Sequence, residues 1–345
     1  MHFPAPFKML RLSLGLMVAA SEMSECRSIP AEAKLPVRCD SSNSSCDRTC
    51  MTNMVELILD SMVAHDPFSL PVALNYKATE NSHPAALGMM TSWRTITKTG
   101  RPSLLAIDTT NGTAYFALDV SEGNDSVPNV LRGRVKVVNQ LITELELFIN
   151  RYRGDHGFSF SAKELPDNYA DLMNPPDNRT KASRETLYDL SEALFADNND
   201  YAVNVSDSCQ FTEIGWKVVD PGTNSTGSLT PLGCSWPDDH PVDTNARVAL
   251  VIDEDMGFVV TSGMIQGKAY PYENISAFIP DQMTSAQEAQ VVWMKEMTTL
   301  GILPMVVPTA ATGETLEVLQ FYNGKLQAMQ INVYLSGPNM TSAWL

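Results

Sequence analysis

Two glutamates stand where a proton could be moved. Glu80 in Ala78-Thr79-Glu80-Asn81 and Glu213 in Phe211-Thr212-Glu213-Ile214 each close a strand flanked by apolar residues. A carboxylate desolvated in this way has a raised pKa and can donate or shuttle a proton, unless it is spent capping backbone or pairing with a cation. His65 ends a helix, where the dipole favours a cation, and it joins Glu80 as the second candidate catalytic group. Gln320 and Gln327 are set opposite one another by a turn at Asn323-Gly324, on the face that also holds Val318, Met329 and Ile331. Two amides in an apolar row orient a substrate carbonyl without ionising it, or else bond to each other. Tyr76, Trp93, Tyr115, Phe211 and Trp293 are the aromatic walls a hydrophobic substrate needs, with core packing the competing use.

Two further sets of residues have plainer readings. Asp108 and Asp253 precede hairpin turns and are turn caps. Arg132, Arg134 and Lys136 share one strand parity, and Glu144 and Glu146 share the next; a three-residue connection over 138–140 sets Arg134 opposite Glu144 and Arg132 opposite Glu146, a solvated charge ladder. Nucleophile elbows, zinc motifs, phosphate-cradling loops and dinucleotide fingerprints are missing from the sequence, and no metal site or cofactor is expected.

The elements that must position these groups come twice. Met51, Met54, Val55, Ile58, Leu59 and Met62 form one apolar helical stripe, and Leu187, Leu190, Leu194 and Phe195 form another. Each helix is followed by the Thr-Glu strand. Ile107-Asp108 then leads through Asn111-Gly112 into Tyr115-Phe116, as Ile252-Asp253 leads through Met256-Gly257 into Phe258-Val259. A longer hairpin closes each copy. The second copy alone carries an inserted helix, 284–301, with a capping box at Ser285 and Glu288 and an apolar face of Ala289, Val292, Trp293 and Met297. This order predicts an α+β chain of two homologous domains, each a curved antiparallel sheet packed on helices and leaving an apolar hollow. The boundaries run 1–20 for a signal peptide, 21–46 for a Cys-rich tail, 47–165 for the first domain, 166–182 for a linker and 183–345 for the second domain.

Composition restricts the partners. Forty acidic residues against 24 basic ones give a formal charge of −16, which excludes a nucleic-acid surface and disfavours anionic membranes. Lys8 and Arg11 precede a short apolar run ending in Ala19-Ala20-Ser21, the pattern of a secretory signal too short to span a bilayer. Sequons at Asn43, Asn111, Asn124, Asn178, Asn204, Asn224, Asn274 and Asn339 and an even set of six cysteines agree with the secretory lumen or a secreted protein. Cys209 and Cys234 bracket a Gly/Ser/Thr-rich loop and are read as a disulfide. The partners expected are hydrophobic small molecules, with no stable membrane insertion and a homo-oligomer left open.

The order of elements resembles the cone-shaped nuclear transport factor 2-like fold of scytalone dehydratase and the polyketide (SnoaL-like) cyclases. Pro71 to Asn81, Leu87-Gly88 with Trp93, Ile107-Asp108 with Asn111-Gly112, and Leu131-Arg132 with Glu144, Glu146 and Arg151 resemble more closely a family of secreted fungal proteins that carry this fold in tandem. Ser82, where the family tends to have Gly, and Ile214, in place of Asn, depart from its pattern. The resemblance implies a cofactor-independent enzyme of secondary metabolism, a hetero-Diels-Alderase joining a tropolone-type quinone methide to a terpene such as humulene. The alternatives are an acid/base cyclase, isomerase or dehydratase of the cone-fold type, and a non-catalytic secreted binding protein.

Overall fold

The first apolar stripe builds the helix expected of it. α1 (Arg48–Val63) buries Met51, Met54, Val55, Ile58, Leu59 and Met62. Asp47 caps its start by accepting from the Cys50 N–H at 2.8 Å, and the Cys46–Cys50 disulfide closes the same turn. In this computed structural model the described residues are 46–345, except 125, 152–160, 197–200, 218, 221–229, 232, 237–239, 273–274 and 303. The signal segment, the Cys-rich tail with Cys26 and Cys39, and the sequons at Asn43, Asn224 and Asn274 lie outside them.

After α1 come β1 (Val72–Glu80), β2 (His83–Pro84), α2 (Thr91–Thr95), β3 (Ile96–Thr99), β4 (Leu104–Asp108), β5 (Thr113–Glu122), β6 (Val127–Val138) and β7 (Leu141–Asn150). α3 (Leu165–Met173) and α4 (Arg184–Ala193) follow, then β8 (Val205–Glu213), β9 (Trp216–Lys217), β10 (Val219–Asp220), β11 (Thr230–Pro231), β12 (Arg247–Asp253) and β13 (Phe258–Ser262). The chain ends in β14 (Met264–Tyr272), β15 (Ile275–Pro280), α5 (Ser285–Thr299), β16 (Thr309–Thr315), β17 (Glu317–Tyr322), β18 (Lys325–Ile331) and β19 (Val333–Ser336).

The strands make an α+β structure with two corresponding sheets. One runs β2-β1-β7-β6-β5-β3 with β4 also on β5; the other runs β12-β13-β17-β18-β8-β9. β14, β15, β16 and β19 form a further sheet carrying α5. The registers of the two larger sheets match: Thr79 pairs Glu146 as Thr212 pairs Gln330, and Asp108 pairs Thr113 as Asp253 pairs Phe258. Both sheets are mixed rather than antiparallel, because β1 joins β7 and β8 joins β18 in parallel.

Alternation along the strands puts one face of each sheet on its helix and the other on the opposite sheet. Ile107, Phe116, Leu131 and Leu145 pack with α1, and Ile252, Val259, Leu319 and Met329 pack with α4. Ala106, Tyr115, Val130 and Phe148 of the first sheet share one core with Val251, Phe258, Val260 and Val318 of the second. The range read as a linker holds α3, whose Leu165, Tyr169 and Leu172 enter that shared core. Residues Asn43–Leu345 accordingly form one compact unit, with no interior boundary at 165 or 183.

Two reciprocal ion pairs cross between the sheets. Arg48, the first residue of α1, places both terminal nitrogens on Asp253 at 3.2 and 2.7 Å. Arg184, the first residue of α4, does the same to Asp108 at 3.0 and 2.6 Å. Each aspartate also caps its own turn, accepting from Met256 or from Thr110 and Asn111, and accepts a main-chain N–H of the other sheet, from Ile107 at 2.8 Å or Ile252 at 3.3 Å. Removing an arginine strands a carboxylate that is 1% exposed. Arg48→Ala or Arg184→Ala is therefore expected to lower the unfolding free energy in a denaturant titration by about 3 kcal/mol, the low end for a broken buried pair because the arginines keep some solvent contact; losses under about 1 kcal/mol would show the pairs to be ornamental.

Candidate functional site

The helix-side hollows expected to hold a substrate are occupied by side chains. Tyr76 packs against the α1 core, and Trp93 is buried in it with its indole N–H on the Ser61 hydroxyl at 3.0 Å. Phe211 packs against the α4 core, and Tyr115 lies in the core between the sheets, its hydroxyl pushed up to about 12 by burial. Trp293 is 47% exposed. The inserted helix turns its other side inward, burying Val291 and Met294, and its capping box joins Thr284 to Gln287, one residue earlier than expected.

Glu80 and Glu213 line none of the three cavities described below. Glu80 caps α2: its carboxylate accepts from the Thr91 N–H and hydroxyl at 2.8 and 2.7 Å and from the Ser92 N–H at 2.8 Å. His65 is exposed, its Nδ1 on the Trp93 carbonyl at 2.7 Å. Arg151 ties the same helix to Glu122 and Asn81 accepts from the Ile149 N–H, so the quoted motif residues work as scaffold. Glu213 differs from Glu80. Among the described residues it receives no such donors, and burial pushes its carboxyl up to about 7.

The two amides do converge on a cavity, though not in the expected register. β17 and β18 pair Gln320 with Ala328, and a bulge leaves Gln327 as the extra residue. Met329 consequently turns to the α4 face, away from Gln320 and Val318. The bulge lies where β8 splays from β18: Val205 meets Leu326, but the next partner of Ala328 is Gln210, so Ser206 to Cys209 go unpaired. The gap opens a cavity of about 510 Å³ lined by Gln210, Gln320, Gln327, Asp171, Asp207, Lys217 and Tyr322, with Cys209 at its wall. The expected Cys209–Cys234 disulfide braces that wall. A volume of this order suits a small organic molecule.

Each amide has its nitrogen committed to main chain. Gln320 donates to the Leu172 and Met256 carbonyls at 2.9 and 3.0 Å, Gln210 to Asn168 at 2.7 Å and Gln327 to Tyr322 at 3.0 Å. The amides do not bond to each other, and Gln210 and Gln327 each keep a second N–H besides the carbonyl oxygens, so the set offers both donors and acceptors. The site can therefore accept from a hydroxyl as well as donate to a carbonyl, the role expected of the two amides. Tyr322, whose hydroxyl burial pushes up, and Lys217 supply donors beside them. Gln210 was not legible as a site residue; its neighbour Cys209 was the signal available.

Sequence reading gives His240 only a weak claim, from its loop-like context. Its Nε2 meets Glu317 at 2.7 Å inside the protein, and its edge packs on Phe195 with centroids 4.5 Å apart. Burial pushes the imidazole down, but Glu317 outweighs it, so the net direction is up. A second cavity of about 590 Å³ lies beside it, lined by Val242, Asp243, Met264, Ile265, Gln266 and Met340 among others. None of Glu80, His65, Tyr76, Trp93, Tyr115, Phe211 and Trp293 lines either cavity.

No family model, curated protein or solved structure matches the chain. Among the described residues no cluster of His, Cys, Asp and Glu could hold a metal ion, and no helix is long and apolar enough to cross a membrane. Asn111, Asn124, Asn178, Asn204 and Asn339 are exposed, and the two disulfides fit an oxidising compartment.

Glu213 sets a pH test. With a folded pKa near 7 against an ordinary 4.5, the folded chain binds more protons than the unfolded one between these values, so this group makes stability fall as pH rises through that window. Glu213→Gln is expected to flatten the decline in thermal midpoint over the same range. Superimposable profiles for the two proteins would place Glu213 in ordinary solvent.

Proposed function

We propose that the chain is a cofactor-independent enzyme catalysing an intermolecular hetero-Diels-Alder cycloaddition, in which a tropolone-type quinone methide adds to a terpene such as humulene. Two tandem cone-shaped domains, nuclear transport factor 2-like in type, belong to this reading, and the matched registers of the two larger sheets support them. So does the resemblance carried by Pro71 to Asn81 and the residues that follow it. The observation that carries the proposal is the group of amide side chains of Gln210, Gln320 and Gln327 lining one cavity with Tyr322 and Lys217.

The chemistry asks little else of the protein. A cycloaddition keeps every atom of both reactants in the product: two new bonds form as three π bonds become one, and no proton or leaving group is released. Its barrier is dominated by bringing two molecules into attack geometry, a term worth up to ~7–11 kcal/mol when orientation is good. The amide oxygens hold the ring hydroxyl of the quinone methide. A hydrogen bond from Tyr322 or Lys217 to the quinone methide carbonyl polarises the heterodiene and stabilises charge gathering on oxygen, by about 3 kcal/mol for one well-placed donor.

Incubation of the purified protein with a quinone methide precursor and humulene is expected to change both the rate and the stereochemistry of adduct formation. A product mixture identical to the protein-free reaction rejects the proposal. Tyr322→Phe and Gln327→Leu should each slow adduct formation about tenfold or more while the protein stays folded.

The raised Glu213 carboxyl favours one second reading, acid/base isomerisation or dehydration of the cone-fold type. Glu213→Gln separates the two, since it abolishes turnover under the second reading and leaves cycloaddition near its original rate. Recovery of an unaltered ligand with the protein in native mass spectrometry would instead identify a binding protein.

A further inference from the structure

We infer that a third cavity, at the junction of the two larger sheets, is a binding site for a small organic carboxylate with an apolar body. It has a volume of about 470 Å³ and shares no lining residue with the amide cavity. Its wall is Trp344, over whose ring stand Lys77, Arg134 and Arg247 at 4.9, 5.0 and 5.7 Å from the centroid. Lys136 and Glu144 line it as well, and Ala249 and Leu250 supply apolar surface.

The charges here do not cancel. Buried Glu146 takes the Arg134 Nε at 3.1 Å and both ends of Arg247 at 3.1 and 2.6 Å. Glu144 is shared by Arg134 at 2.8 Å and Lys136 at 3.5 Å. Among the lining side chains three cations, Arg134, Lys136 and Arg247, stand against Glu144, with Glu146 behind them, and Lys77 over the Trp344 ring has no carboxylate partner among the described residues. This is a local excess of positive charge in a chain of formal charge −16. The other two cavities have the opposite bias, with Asp243 and Asp281 in one and Asp171 and Asp207 against Lys217 in the other. A concave site rimmed by ammonium and guanidinium groups focuses potential on an anion, and a carboxylate presents two oxygens to them. The indole and the two aliphatic residues then cover the ligand's apolar body.

Benzoate is the probe, titrated calorimetrically into the full chain at low ionic strength, with benzyl alcohol and inorganic phosphate in parallel. Benzoate is expected to bind, benzyl alcohol not to, and added salt to weaken the complex. Lys77→Ala/Lys136→Ala removes two solvent-facing ammonium groups without opening the core, and should weaken benzoate about tenfold, equivalent to about 1.4 kcal/mol, with an unchanged thermal midpoint. Absence of benzoate binding, equal binding by the folded double variant, or equal binding of benzyl alcohol overturns the inference. Phosphate binding tighter than benzoate also overturns it, by making the site one for inorganic anions.

Discussion

The paired contacts of Arg48 with Asp253 and Arg184 with Asp108 are the constraint around which the two sheets are arranged. A cation at the first residue of a helix opposes the helix dipole, so each arginine is locally disfavoured where it stands. The partner across the junction offsets that cost. Each aspartate is simultaneously a turn cap, an ion-pair partner and the acceptor for a main-chain N–H on the other sheet. Because the contacts are reciprocal, the junction cannot slide without breaking both pairs, and the shared core of Tyr115, Phe148, Val251 and Phe258 is held in one register.

The same architecture decides where hollows form. Facing each other, the sheets bury one side apiece and leave the other side to α1 or α4, whose long apolar side chains fill it. Space survives at irregularities of the parallel pairs. In both sheets the first strand spends five residues where its partner spends two: Val72 to Lys77 against Ile142 to Glu144, and Val205 to Gln210 against Leu326 to Ala328. The second of these splays faces α3, which presents the Asn168 and Leu172 carbonyls to Gln210 and Gln320. Ile214 belongs to the same adaptation. It holds a positive φ of 44°, uncommon for a β-branched residue, and buries its side chain in the core that α3 enters, with Asn168 bonded to the adjacent Gly215 carbonyl.

What the sequence disclosed follows from the range of each signal. Helical stripes and the Asp-turn hairpins are set by neighbours within a few residues and are visible in periodicity and turn chemistry, while the Cys209–Cys234 bridge, 25 residues apart, is legible from cysteine count and the loop it brackets. Register is not, since one bulge shifts every later pair. A bulge after Lys136 and a two-residue turn at Asn139-Gln140 pair Arg134 with Glu146 and Lys136 with Glu144, and the ladder read as solvated is largely buried against the second sheet. The face of α5 was misassigned for a related reason. Its sequence has apolar residues on two sides, and only the tertiary partner decides that Val291 and Met294 go inward. Glu80 and Glu213 look alike in sequence; the helix that Glu80 caps distinguishes them.

Comparing equivalent positions shows how one scaffold can hold two unlike cavities. Thr113 pairs Lys136 where Phe258 pairs Gln320, and Arg134 and Arg132 correspond in the same way to Val318 and Leu316. Along β6 and β17, then, the residues turned to the junction are cationic in the first sheet and neutral in the second. Burying Arg132 and Arg134 is tolerable only with compensation, which Glu144, Glu146 and the ring of Trp344 supply to Arg134 and which Asn150 and the ring of Phe148 supply to Arg132. Arg132 is the costlier of the two, fully enclosed and pulled down by burial, with the oxygens of Asn150 and Asn332 and the face of the Phe148 ring on its guanidinium. Arg247 of the second sheet meets Arg134 of the first at the junction, and both are held on the buried Glu146 carboxylate. Neutral Gln320 and Val318 on β17 add no further cation beside that shared carboxylate, and the amide cavity built on β17 takes the acidic side chains of Asp171 and Asp207 instead.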